Sequence, residues 1–404
     1  MLHIWPEELS RNGPSITTSV TIEQPDCTRQ TLWYSLPEEH FSSLHPTCDP
    51  FVVGSIYLLM QAGHSVQVHG QVSPSLLQNL DEYMAARTLW RTELSRVEIR
   101  ADLEKEPAPG QKGHEAVVAY SGGVDSSFTV YRHSRGKVRV PRRVVNGVMV
   151  RGFDIPLADG EEFLRALERS RRMLQSLGLG LIPMATNYRI IVPDHDYSHS
   201  WGAAVASCLM VLGGRFSTAL LSQSVAFDDL LDLDWGCNPL ADHLMSSASF
   251  EVIPDGAEVS RIGKISVLNE WEEFRQYARV CWQAPERDRN CCSCEKCIRT
   301  ILGFRVLGLP LPPCFEEDVS IEQILAMDHL TDKAMATWYD SLLEIASRRG
   351  VDEPWTRALA ERLRRNRKMR RSRIRRYLRR AFGLLRRLGR MAKEMPLARR
   401  QVAL

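Results

Sequence analysis

The sequence lacks any apolar run long and unbroken enough to cross a bilayer; stretches such as Trp201–Leu212 are too short and interrupted. No basic segment near Met1 leads into an apolar one with a cleavage site, so no secretion signal is expected and the chain reads as cytoplasmic. Internal repeats are missing as well, which argues against a solenoid or propeller. Disorder is excluded by composition: 44 % of the 404 residues are hydrophobic and 25 % charged, as in a soluble globular protein with room for two or three domains. Ten cysteines are present, yet five fall between Cys281 and Cys297, which fits clustered thiolates in a reducing compartment better than a disulfide framework. The net charge of only +3 conceals a segregation: residues 361–400 hold 16 Arg and 2 Lys against 2 Glu, so the rest of the chain is acidic.

Patterning predicts an N-terminal α+β module over residues 1–105. "SVTIEQ", "QTLWYSL", "HSVQVHG" and "SRVEIRADL" alternate like strands, while Phe51–Met60 and Leu76–Trp90 suit helices. The Pro, Gly and charge content of "EKEPAPGQKGHE" (residues 104–115) marks a linker. Beyond it, the short apolar segments "AVVAY", "VVNGVMVRG", "LGLIPMATN" and "FSTALLSQS" alternate with helical stretches ending at Tyr131 and spanning Gly160–Leu177 and Ser200–Leu212. That order predicts an α/β domain over 106–312, a parallel sheet with helices on both faces. Further helices are expected over Leu268–Val280 and Ile298–Leu307, then a helical extension over 313–350 and an arginine-rich amphipathic tail over 351–404.

The stretch "AVVAYSGGVDSSFTVYR" (residues 116–132) carries the first chemical signal. Ser121, Gly122, Gly123, Val124, Asp125 and Ser126 fall between a strand and a helix opening at Ser127, at the carboxyl end of the strand, where open α/β sheets bind ligands. Glycines allow close approach to an anion, and free N–H groups at a helix start offer donors. The competing reading has Ser and Asp cap a helix after a tight turn; the complete Ser-Gly-Gly-x-Asp-Ser sequence in this context favours the anion site. Neither a Gly-Lys-Ser/Thr ending nor G-x-G-x-x-G spacing is present. "SGGVDSS" resembles the signature of the PP-loop ATP pyrophosphatases, the adenine-nucleotide α-hydrolase-like superfamily of Rossmann-like fold. That resemblance implies ATP split between its α- and β-phosphates, AMP transferred to a substrate oxygen, and pyrophosphate held by the loop.

The second signal is "VCWQAPERDRNCCSCEKC" (residues 280–297). Cys281, Cys291, Cys294 and Cys297 supply four thiolates, enough for tetrahedral Zn²⁺; an iron–sulfur cluster is the main rival. With "GFRVLGLP" after it, the region is similar to the zinc region of 7-cyano-7-deazaguanine synthases, a resemblance covering residues 114–312. In those enzymes zinc is structural, and ATP activates a carboxylate that ammonia converts to amide and then nitrile. The resemblance places Ser121, Gly122, Gly123, Asp125, Ser126 and Ser127 on the nucleotide and the four cysteines on zinc; Cys292 stands where the family usually has glycine. Segments that would read a deazapurine ring are not matched.

Other candidates follow from position. Asp154, just after the second strand of the α/β domain, is placed to meet ribose, adenine or Mg²⁺, and Asn187 and Arg189 follow the third. In "WGCNPLADHLMSSASFEVIPDGAEVSRIGK" (residues 235–264), Arg261 and Lys264 are expected to stabilise charge on the transferring phosphate. His195, Asp196 and His199 read as a helix-entry loop. The basic tail, with Ile374, Leu378, Phe382, Leu385 and Leu388 along one stripe, suits RNA or DNA, an anionic membrane surface, a protein partner, docking on the chain's own acidic body or disorder; a homo-oligomer is a separate expectation for the chain. The expectation is an AMP-forming synthetase that adenylates an acceptor oxygen of a small molecule or peptide, with ammonia or an amine completing the reaction. Sulfur transfer to a nucleobase such as tRNA, drawing on Cys292, and a non-catalytic nucleotide sensor or nucleic-acid binder stand as alternatives. "MLHIW" has no cysteine at position 2, so the N-terminal module is not expected to produce ammonia.

Overall fold

Alternation of polar and branched residues shapes the first strands, β1 (Leu2–Pro6), β2 (Ser10–Asn12), β3 (Ser15–Glu23) and β4 (Arg29–Pro37). In β3, Ile16, Val20 and Ile22 are buried while Thr17, Ser19 and Thr21 lie on the other side. β4 pairs with β3 antiparallel along its whole length. Then α1 (Asp49–Ala62), β5 (Val66–Val72), α2 (Pro74–Trp90) and β6 (Ile99–Glu104) follow, with β5 parallel to both β1 and β6. The computed structural model describes residues 1–107, 115–192, 194–227, 236–327 and 333–369.

After residue 114 the chain alternates β7 (Glu115–Ala119), α3 (Val124–Ser134), β8 (Arg143–Arg151), α4 (Gly160–Gln175), β9 (Gly180–Thr186), α5 (Tyr188–Ile191), α6 (Asp194–Met210), β10 (Thr218–Ser222) and β11 (Glu251–Asp255). All eleven strands form one sheet in the order β11-β10-β7-β8-β9-β4-β3-β1-β5-β6, with β2 against β3. The pairs among β7 to β11 are parallel, and β9 meets β4 antiparallel. Strand order reverses between β7 and β10, both of whose carboxyl ends open on the same crevice. This is the switch point of a Rossmann-like sheet.

Both faces carry helices. Val148, Ile182 and Met184 join the cluster containing α1 and α6, whereas the alternate residues Met149 and Leu181 join Phe163, Ala166 and Leu167 of α4. The expected boundary near residue 105 falls between β6 and β7, yet the strands on either side belong to one sheet. Gly54 is required where α1 meets this core: a Cβ there would sit 2.4 Å from the Tyr34 hydroxyl, which itself donates to Ser207 Oγ of α6 at 2.8 Å.

The helix expected over Leu268–Val280 is shorter, only α8 (Glu272–Tyr277), and a helix not expected from the sequence, α7 (Arg261–Leu268), precedes it. Trp271, between them, is buried against Tyr131 and Phe274 and donates its indole N–H to Ser176 Oγ at 2.9 Å, and this anchoring turns the chain. β11 had no predicted counterpart: Pro254 within it is tolerated because β11 is an edge strand. α9 (Glu295–Val306) ends the first compact unit, Met1–Asp318. The second, Val319–Leu404, contains α10 (Ile321–Ala326), begun by a Ser320–Gln323 capping box, α11 (Lys333–Arg348) and a helix over 354–369. Within it Arg362 Nε donates to Met327 O and Arg367 pairs with Asp340, both at 2.5 Å. The arginine-rich stripe from residue 370 onward lies outside the described residues. No helix among the described residues is long and apolar enough to cross a membrane.

Candidate functional site

β7 delivers the chain into the switch-point crevice at Ser121. Gly122 adopts φ +76°, a left-handed conformation that favours glycine, and Gly123 is the N-cap of α3. No side chain caps α3. The hydroxyls instead brace the loop: Ser126 Oγ accepts from the Ser121 N–H and Ser121 Oγ from the Gly123 N–H, each at 3.3 Å. Ser127, expected among the ligand contacts, is fully buried beside the Tyr120 hydroxyl and supports the loop from beneath.

Asp125 does not cap the helix either, because two cations from α7 claim it. Arg261 Nη1 donates to Oδ2 at 2.8 Å and Lys264 Nζ to Oδ1 at 3.0 Å, while Lys264 also donates to the Gln223 carbonyl at 2.5 Å. Burial alone would raise the Asp125 carboxyl; the Lys264 ammonium and Arg261 guanidinium outweigh it and hold the pKa at about 2. One carboxylate against two cations leaves a local surplus of positive charge beside the α3 N-terminus. Such an arrangement attracts polyanions. Ser260 N-caps α7 by accepting from the Gly263 N–H, so the helix that carries both cations has a fixed start.

Asp154 lies past the end of β8 and lines a cleft of about 350 Å³ with Pro156, Arg189, Trp282, Gln283 and Arg287. Burial raises its carboxyl, but Lys296, Arg279 and Arg189 bring it below the ordinary aspartate value. It makes no hydrogen bond to a described residue. Asn187, expected to touch the nucleotide, is occupied elsewhere. Its carboxamide donates to Thr31 O at 2.6 Å and accepts from the Trp33 N–H at 3.0 Å, tying β4 to the end of β9. His199 sits inside α6 rather than in a loop leading into it, its carbonyl accepting from Arg87.

The four predicted cysteines converge. Their sulfur atoms all lie within 4.8 Å of one another, with Cys281 Sγ 3.4 Å from Cys291 and 3.6 Å from Cys294, and Cys291 4.0 Å from Cys297. Sulfurs around a tetrahedral ion at a bond length near 2.3 Å would be roughly 3.8 Å apart. The cluster could therefore hold a metal ion. Thiol donors from Cys294 and Cys297 push the Cys281 pKa far down. Cys292 has φ +56°, a left-handed conformation that glycine takes most easily.

Several residues that hold the site together carry no readable signal in the sequence. Asn290 accepts from the Val280 and Cys281 N–H groups and donates to Ala278 O and Cys314 O, closing the cysteine hairpin. The Arg279 N–H donates to Gly122 O at 3.0 Å, so the cysteine segment rests directly on the glycine loop. Beneath α3, Asp255 accepts from Thr129, Arg132 and His133. Gln223, at the end of β10, is held by Asp242 and Cys237 at 2.9 and 3.0 Å. The Arg279 and Asp255 contacts join residues more than a hundred positions apart, and those of Asn290 and Gln223 close irregular loops with no motif.

No protein-family model, curated protein or solved structure matches the chain.

Proposed function

We propose that the protein is an AMP-forming, ATP-dependent ligase of the PP-loop type, with an adenine-nucleotide α-hydrolase-like core built on β7 to β11. The observation that carries this reading is the convergence of Arg261 and Lys264 on Asp125 in a glycine loop at the switch point. The loop N–H groups of residues 122–126 would bind departing pyrophosphate, and Lys264 and Arg261 would balance its charge. Since Asp125 is already committed to two cations, Asp154 is the carboxylate left for Mg²⁺ or ribose. When bound, Mg²⁺ supplies charge neutralisation across the phosphates. An acceptor carboxylate oxygen attacks the α-phosphorus, the bond to the bridging oxygen breaks, and pyrophosphate leaves; ammonia or an amine then displaces AMP from the acyl carbon. Zn²⁺ on the four cysteines would be structural, fixing the hairpin that supports Gly122 through Arg279.

Sulfur transfer draws no support from Cys292. Its thiol is buried and its pKa raised by that burial, the reverse of a nucleophilic relay thiol. Incubating zinc-replete protein with Mg-ATP, ammonium and cell extract, and comparing product masses, tests the reading. Exchange of a hydroxyl for an amine on a small molecule or peptide is expected; exchange of oxygen for sulfur on RNA would overturn it.

A further inference from the structure

The glycine-loop crevice is not the only shaped surface at this end of the sheet. A second groove of about 280 Å³ lies on the face of β3, β4, β9 and β8, and every residue lining it belongs to a strand. Register sets its floor: Thr17 stands opposite Ser35, Ser35 opposite Ala185, and Ala185 opposite Arg151, one row crossing four strands. Ser19 and its cross-strand partner Trp33 form the next row.

Three properties of this floor bear on what it binds. Among the described residues, the hydroxyls of Thr17, Ser19 and Ser35 make no hydrogen bond to protein, and neither does the Trp33 indole N–H. Arg151, at the end where the strands approach Asp154, has no carboxylate within ion-pair distance among the described residues, and its Nε is buried without a partner. The guanidinium instead lies 5.9 Å from the Phe163 ring. A guanidinium without a carboxylate partner can take the carboxylate or phosphate of a ligand in a charge-assisted hydrogen bond.

We propose that this groove binds an anionic sugar or polyol, its carboxylate or phosphate on Arg151, its ring against Trp33 and its hydroxyls exchanging hydrogen bonds with Thr17, Ser19 and Ser35. Hydroxyl side chains both donate and accept, as sugar hydroxyls do, and an indole offers the flat apolar face on which a pyranose stacks. The lining has no carboxamide or carboxylate to read the edge of a base, which favours a sugar over a nucleotide. A volume just under the roughly 300–1,000 Å³ usual for ligand sites suits one ring. The groove is half made by β3 and β4 of the N-terminal segment, so it gives that segment a recognition role. As an account of the acceptor's chemistry the proposal rests on the ligase reading; as a binding site it stands without turnover.

Calorimetric titration of the full-length protein without ATP, using glucuronate, glucose 6-phosphate, glucose and AMP as probes, tests it. At least one anionic sugar should bind at least ten-fold more tightly than glucose, the preferred arm telling carboxylate from phosphate. Arg151→Gln should abolish the preference for the anionic sugar, and Trp33→Ala should weaken both sugars, with Ser35→Ala as a milder variant that retains the fold. Absence of binding by both anionic sugars, equal binding by wild type and Arg151→Gln, or tighter binding of AMP that Trp33→Ala abolishes would overturn it. Pyrophosphate release that survives such a result would leave the ligase reading standing while this one falls.

Discussion

At the residue scale, the proposed chemistry turns on three side chains. Asp125 is shared between Lys264 and Arg261, so removing it would strand two buried cations, a loss of about 3–5 kcal/mol. Asp125→Ala is therefore expected to damage folding, and lost activity in it would say little. Lys264→Met leaves Arg261 paired but strips the buried Gln223 carbonyl of its donor, so the melting temperature should fall moderately while pyrophosphate release by the folded protein falls about 100-fold; activity near wild type would remove Lys264 from the site. A neighbouring carboxyl gives a pH signature. Burial raises Asp242 to about 6, against hydrogen bonds from Cys237 and Gln223 that lower it. A folded pKa above the unfolded one favours the native state at low pH, and this contribution is lost as pH rises through about 6. The shift from 3.8 to about 6 corresponds to roughly 3 kcal/mol. Urea denaturation from about pH 4 to about pH 7 should thus show a stability loss that Asp242→Asn lacks; parallel profiles would refute the assignment. Asp125, held at about 2, acts oppositely, its contribution disappearing only in strong acid as pH falls below 3.8 toward 2.

At the element scale, the join between the two halves of the sheet is narrow. β4 and β9 share the register pairs Tyr34–Thr186 and Ser35–Ala185, reinforced by the Asn187 carboxamide and by Thr186 Oγ1 donating to Trp33 O. Asn187→Ala removes two bonds, to the Thr31 carbonyl and from the Trp33 N–H, both only partly shielded from water, for a cost of about 1 kcal/mol. Hydrogen exchange should accelerate at Trp33; unchanged exchange there would show that strand pairing alone holds the join. Strands such as β3, β4 and β8 are legible in the sequence because alternation and branching mark a half-buried sheet whatever its partners. The antiparallel contact of β4 with β9 is not, since it depends on two short register pairs separated by some 150 residues of chain. Asn187 misleads for the same reason: the carboxyl end of a strand suggests a ligand contact, and nothing local announces that the neighbour is another strand.

At the whole-molecule scale, the loop and the cysteines are one device. The convergence of the four cysteines is readable because metal chemistry permits few spacings, whereas the Arg279 link to Gly122 is a backbone contact without a signature. Metal analysis should find about one zinc per chain. Chelation should lower the melting temperature, slow pyrophosphate release and raise hydrogen exchange at Arg279, all restored by Zn²⁺ and not by Mg²⁺; iron with visible absorbance would replace zinc by a cluster. The central claim, that the glycine loop splits ATP between its α- and β-phosphates, is tested most directly by pyrophosphate release from Mg-ATP in the presence of acceptor-containing extract. Release should require Mg²⁺ and fall sharply in folded Ser121→Ala; zinc-replete, folded wild type that binds ATP and never releases pyrophosphate would overturn the claim.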